Sequence, residues 1–240
     1  MELHQPHGRA APPRSSLPPL VRYVSFVLLI LFSWRASAAD LPEHDNRPDP
    51  SQNVEQKDTT AQIAVRYSVL FGVPLVTLGY GMKAWDWGSK GSWRWGRESW
   101  FGRDTGHGGI DKLAHAFGCY LVTRGTNAAF FYSEGDRWTR WFYGPLLGFI
   151  VGTGIEIGDA YTAKYGFSWE DILADYIGVA AGMLLDAFPV ADGFIGFSTE
   201  YWPTEGFIEA GDNTPLDISN DTGGFRYMIN LKLAGFERIG

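Results

Sequence analysis

Cysteine is almost absent: Cys119 is the single one in 240 residues. That excludes an intramolecular disulfide framework and any cysteine-rich zinc site. Basic charge is also short, with 20 Lys plus Arg against 27 Asp plus Glu and a net charge of −7. A nucleic-acid partner held by a basic surface is therefore not expected. No Gly-x-Ser-x-Gly motif marks a serine nucleophile. The Gly-rich run Gly102-Arg103-Asp104-Thr105-Gly106-His107-Gly108-Gly109 lacks the Lys-Ser/Thr ending of a phosphate loop, and no strand precedes it. A nucleotide is not expected either. The chain is also too short for separate cofactor and substrate modules.

What is present begins with a leader. Residues 1–38 read as a signal peptide: a polar, Pro-rich start with Arg9 and Arg14, an apolar run over 20–34, then Ala36-Ser37-Ala38. The run is short for a transmembrane helix. An uncleaved anchor is the competing assignment, and Arg35 is awkward for cleavage. No Cys lies at the junction, so lipid attachment by the bacterial lipoprotein route is not expected. The leader carries four Arg against Glu2, so its removal takes the net charge from −7 to −10. Residues 39–60, rich in Pro, Asp, Glu and Asn, read as a disordered tether. An acidic, exported chain without disulfides fits a bacterial envelope compartment.

Residues 61–190 read as a helical bundle. Four apolar helical segments are expected over 61–82, 111–131, 141–160 and 169–188, each near the length that spans a bilayer. Gly144, Gly148 and Gly152 recur every four residues, and Gly178 and Gly182 repeat the pattern. A glycine inside a water-exposed helix costs about 1 kcal/mol relative to Ala, so this placement points to close backbone approach between helices. A membrane bundle and a tightly packed soluble one both fit. Half of the ten Trp (Trp85, Trp87, Trp93, Trp95 and Trp100) fall in the loop 84–108. They read as an interfacial belt, with a sugar-stacking platform as the sharper alternative.

Residues 191–240 form a loop-and-strand appendage. Residues 193–221 are loop-like. Phe225, Tyr227, Ile229, Leu231 and Leu233 then alternate with Arg226, Asn230 and Lys232, which predicts a strand whose partner lies around 194–201. The expected architecture is all-α: a compact bundle of about four helices, embedded in or lying against a membrane, with a short β-strand-containing C-terminal tail.

Three polar pairs interrupt the apolar helices. Asp111 and His115 share a face early in the second segment, Glu156 and Asp159 end the third, and Asp171 and Asp175 begin the fourth. If the second and third helices run antiparallel, the loop 159–168 returns the fourth to the same level and all three pairs converge. Ionisable groups in such helices are costly and face a bundle interior or an aqueous cavity. Capping accounts for some of them: Asp111 follows Gly108-Gly109, and Ser168 with Asp171 approximates a capping box. It does not account for His115, Glu156 or Asp175. One His with several carboxylates suits a hard cation, a zinc ion or an acid–base pair. His107 could add an imidazole, and Cys119 has no obvious activating partner. No cofactor is specified.

The run Ser99-Trp100-Phe101-Gly102-Arg103-Asp104-Thr105, with Gly108-Gly109-Ile110-Asp111-Lys112-Leu113-Ala114-His115, resembles the YfiM-like bacterial family of predicted periplasmic lipoproteins of unknown function. Glu156-Ile157-Gly158-Asp159, Gly166-Phe167-Ser168-Trp169-Glu170-Asp171 and Ala174-Asp175 match its second block, and Tyr201-Trp202-Pro203 is similar to a later one. The resemblance covers roughly residues 60–235. A looser likeness links Asp-Lys-x-x-His and the later acidic pairs to VanZ-like membrane proteins. The lipobox cysteine of the first family is missing here. The resemblance implies a place in the cell envelope and supports the six polar residues as a site, without implying a reaction. The leading expectation is a non-enzymatic, membrane-associated envelope bundle whose polar cluster holds it together or binds a polar ligand. The alternative is a metal-dependent hydrolase or transferase acting on a lipid-linked envelope substrate. No protein partner is indicated.

Overall fold

The structure, a computed structural model, describes residues 59–96, 99–101, 109–132, 137–209 and 218–233. The expected signal peptide, nearly all of the tether, and the Gly-rich run 102–108 with His107 lie outside the described residues.

Four long helices dominate: α1 (Thr60–Ala84), α2 (Ile110–Tyr132), α3 (Arg137–Asp159) and α4 (Trp169–Ala187). Each overlaps an expected segment to within a few residues. Local chemistry sets two of the starts. The Thr59 hydroxyl accepts from the Gln62 amide at 3.3 Å and the Gln62 side chain accepts from the Thr59 amide at 2.8 Å. This reciprocal pair is a capping box. The last two residues expected in the tether, Thr59 and Thr60, thus belong to the cap and first turn of α1. Ser168 caps α4 by accepting from the Asp171 amide at 3.2 Å. Asp111 does not cap α2, which begins one residue earlier at Ile110 and places Asp111 in its first turn.

Glycine sets how closely α2, α3 and α4 approach. A Cβ on Gly148 would lie 2.6 Å from Thr123 Oγ1 and 2.8 Å from Val179, and one on Gly152 would lie 2.7 Å from Asp175 Oδ2. On α4, Gly178 packs against the Ala116 backbone, and Gly182 faces Thr123. The order of these contacts fixes direction. Asp175, Gly178 and Gly182 meet His115, Ala116 and Thr123 in turn, so α4 runs parallel to α2, and α3 runs antiparallel to both. The expected close approach is observed, and α1 lies more loosely against α2 and α3.

The bundle buries polar and charged side chains beside its apolar core and leaves large apolar ones exposed. Lys112, Thr123, Thr126, Glu156, Thr162, Ser168 and Asp175 are all among its most completely buried side chains. Phe142, Ile150, Ile157, Ile177, Leu184 and Phe188 remain exposed on α3, α4 and the turn that follows. Lys, Glu and Asp enter a protein interior almost only when paired. Where each of them goes therefore identifies what the fold is built around.

The tail is a hairpin. After a short α5 (Pro189–Phe194), β1 (Ile195–Tyr201) pairs antiparallel with β2 (Phe225–Leu231), Ile195 opposite Leu231 and Tyr201 opposite Phe225. The stretch expected to be loop also holds α6 (Glu205–Glu209) and two 3-10 turns, Ile218–Asn220 and Thr222–Gly224. Asp221 ties that stretch together by accepting from Tyr201 Oη, the Thr204 amide and Thr204 Oγ1 at 3.1, 2.9 and 2.7 Å. The hairpin rests on α2 through Tyr227 against Phe117 and Phe197 against Tyr120. Arg124 of α2 pairs with Asp186 at 2.7 Å and Asp192 at 3.0 Å.

Candidate functional site

Convergence follows from the helix directions. His115 lies in the second turn of α2, Glu156 in the last turn of α3 and Asp175 in the second turn of α4, so all three sit at one end of the bundle. His115 Nδ1 is 3.1 Å from Asp175 Oδ1, and its Nε2 is 3.7 Å from Glu156 Oε1. Donor atoms of the three residues lie within 4.8 Å of one another. Asp175 is sealed from solvent and Glu156 is 1% exposed, whereas His115 keeps 17% exposure.

The remaining candidates divide. Asp111 and Asp171 form a second group on the buried Lys112, whose Nζ lies 3.0 Å from Asp111 Oδ2 and 2.7 Å from Asp171 Oδ1. Asp159 turns away from both groups and accepts the Trp87 indole N–H at 2.7 Å. That indole is wedged against Gly81 of α1 and Gly158 of α3, where a Cβ would collide with the ring. Asp159 thus secures the crossing of α1 over α3, and the structure places it outside the His115 cluster.

Charge shapes the cluster. Burial alone would lower the His115 pKa, but the Asp175 hydrogen bond and the charges of Asp175, Asp171 and Glu156 outweigh it and hold it at about 10. Burial pushes Glu156 up to about 9 against the opposing pull of His115. The Glu156 carboxyl also accepts the Ser168 amide on Oε2 at 2.8 Å. Burial, together with the Asp175 charge, raises the Cys119 thiol well above its ordinary value. It stays protonated and donates to Asp175 Oδ1 at 3.2 Å. Cys119 is a packed hydrogen-bond donor and lacks the thiolate character of a nucleophile.

Residues 97–187 match the family model described as Predicted periplasmic lipoprotein (DUF2279). The matched span holds α2, α3 and α4 and every candidate site residue from Asp111 to Asp175. The chain is an exported, envelope-associated protein. No curated protein and no solved structure matches it.

Lys112 and Cys119 belong to these groups but are not among the six candidate residues: Cys119 is set aside for want of an activating partner, and Lys112 stands only within the Asp-Lys-x-x-His block. Their signal was spacing: Lys112, His115 and Cys119 stand three and four residues apart, which puts them on one face of α2. The Trp loop also has contacts that no sequence pattern revealed. Its segment around Trp95 pairs with the α3–α4 connection, Phe167 donating to the Arg94 carbonyl at 2.9 Å and Gly96 to the Phe167 carbonyl at 2.7 Å. Trp93 and Trp95 pack on Phe167, and the Trp85 indole donates to Ser219 Oγ at 2.8 Å.

Proposed function

We propose that the chain is a non-enzymatic bacterial envelope protein that meets a membrane along α1, and whose buried polar cluster holds α2, α3 and α4 together. One observation carries this reading. Ile63, Tyr67, Phe71, Leu75, Leu78 and Met82 recur at helical spacing on α1, and all six are exposed. No charge interrupts the helix between Arg66 and Lys83. Among the described residues α1 is the one helix long and apolar enough to cross a membrane, and its apolar window is not buried by the rest of the structure. A stripe of this length facing water is unfavourable, and lipid removes the penalty. The same Asp-Lys-x-x-His and acidic blocks that resemble YfiM-like and VanZ-like proteins support the reading.

The test is a labelling experiment on the full chain in lipid vesicles. Cys119 is the chain's own cysteine and is buried, so a single added thiol reports its own surroundings. Leu75→Cys should resist a membrane-impermeant maleimide in vesicles, while Ser92→Cys in the exposed Trp loop reacts fast. Equal rates at the two positions would contradict membrane contact along α1.

A second reading, a metal-dependent hydrolase or transferase acting on a lipid-linked envelope substrate, has one observation in its favour. His115 keeps 17% exposure while Glu156 and Asp175 are sealed, so the imidazole is the face of the cluster that a water or substrate can reach. Turnover abolished by Glu156→Gln in a chain that keeps its helical signal would favour it. Unchanged turnover would remove it.

A further inference from the structure

The cluster contains two carboxylate oxygens without a hydrogen-bond donor. Asp175 Oδ1 serves both His115 and Cys119, whereas Asp175 Oδ2 is buried and accepts nothing. Glu156 Oε2 takes the Ser168 amide, whereas buried Glu156 Oε1 has no partner at hydrogen-bond distance and faces His115 Nε2 at 3.7 Å. Buried polar atoms are nearly always satisfied by a protein group, a water or an ion. The nearby cation is no substitute, because Lys112 is engaged by Asp111 and Asp171. Gly152 lets α3 approach Asp175 closely, since a Cβ there would come to 2.7 Å from Oδ2.

From this geometry we infer that His115, Glu156 and Asp175 bind one divalent cation of the zinc class, which bridges α2, α3 and α4. Three donor atoms spaced within 4.8 Å can surround an ion at about 2.8 Å each, and a contraction of about 0.7 Å reaches ordinary zinc bonds. One imidazole nitrogen with two carboxylates is a zinc donor set, leaving a fourth position for water. Magnesium and calcium favour all-oxygen shells, whereas an imidazole nitrogen in the set favours the zinc class. The ligands are also oriented from behind, Glu156 by the Ser168 amide and Asp175 by Cys119, as outer-shell partners do in metal sites. The inference does not depend on α1 meeting a bilayer.

The test is equilibrium dialysis of the chelator-stripped full chain against zinc sulfate alone. One ion per chain is expected, with magnesium failing to displace it at equal concentration. Glu156→Gln keeps an acceptor for Ser168 and should weaken zinc at least tenfold with the helical circular-dichroism signal unchanged. Exposed Glu200→Gln on β1 should bind as wild type does. No stoichiometric uptake by the wild-type chain would overturn the inference, and so would a folded Glu156→Gln chain that binds zinc equally well. Absence of wild-type uptake overturns the inference even if a variant fails to fold.

Discussion

Asp175 Oδ1 lies 3.1 Å from His115 Nδ1, joining α4 to α2 across 60 residues of chain in a region closed to water on the carboxylate side. Removing one partner of a buried pair leaves the other charge uncompensated, which costs about 3–5 kcal/mol. Asp175→Ala should therefore destabilise the full chain by about that amount in urea denaturation. Asp175→Asn, which keeps an acceptor, should lose less. A loss below about 1 kcal/mol for the alanine variant would show the pair to be incidental.

Glycine at 152 and glycine at 154 predict opposite signs. A Cβ at 152 would press on Asp175 Oδ2 at 2.7 Å, while one at 154 meets nothing within 4 Å. Gly152→Ala should cost about 1–3 kcal/mol through overpacking. Gly154→Ala should be neutral or stabilise by up to about 1 kcal/mol, the ordinary helix preference for Ala over Gly. Thermal melts of the two variants beside wild type decide this, and equal shifts would refute it.

Stability of the metal-free chain should fall as pH rises above neutral. His115 is held at about 10 in the folded state against an ordinary 6.5, so its contribution is complete below 6.5 and is lost as pH climbs through 10. Glu156, raised from 4.5 to about 9 by burial, works in the same direction: from 4.5 upward the unfolded chain gives up this proton while the folded carboxyl keeps it, so stability falls until pH passes 9. Chelator-treated wild type should lose melting temperature steadily from pH 7 to 10, and His115→Gln should show a shallower slope. A wild-type profile that is flat or rises over that window would contradict the assignment.

Much of this architecture is legible in the sequence because it is carried by local pattern. Apolar runs of helical length, glycine every fourth residue on α3 and the alternation from Phe225 to Leu231 each specify an element without its partners. His115, Glu156 and Asp175 were legible as exceptions to an apolar pattern. Their meeting was legible because short connections force α2, α3 and α4 into alternating directions. Asp159 was not legible, because its partner Trp87 lies 72 residues earlier in a loop whose path follows no period. Cys119 was obscured for the opposite reason: inside an apolar helix a lone cysteine looks like core, and the bond to Asp175 appears only once α4 is in place. Lys112 was hidden in the same way, since a lysine in a first turn ordinarily points to solvent, whereas this one is 2% exposed.

The most direct test is a double-mutant cycle on His115 and Asp175 in the full chain, read by urea denaturation. If the polar cluster is what holds α2 to α4, the two alanine substitutions will be strongly non-additive, with a coupling of about 1–3 kcal/mol. Effects that add to within about 0.5 kcal/mol would mean that the two residues act independently. That result would contradict the account.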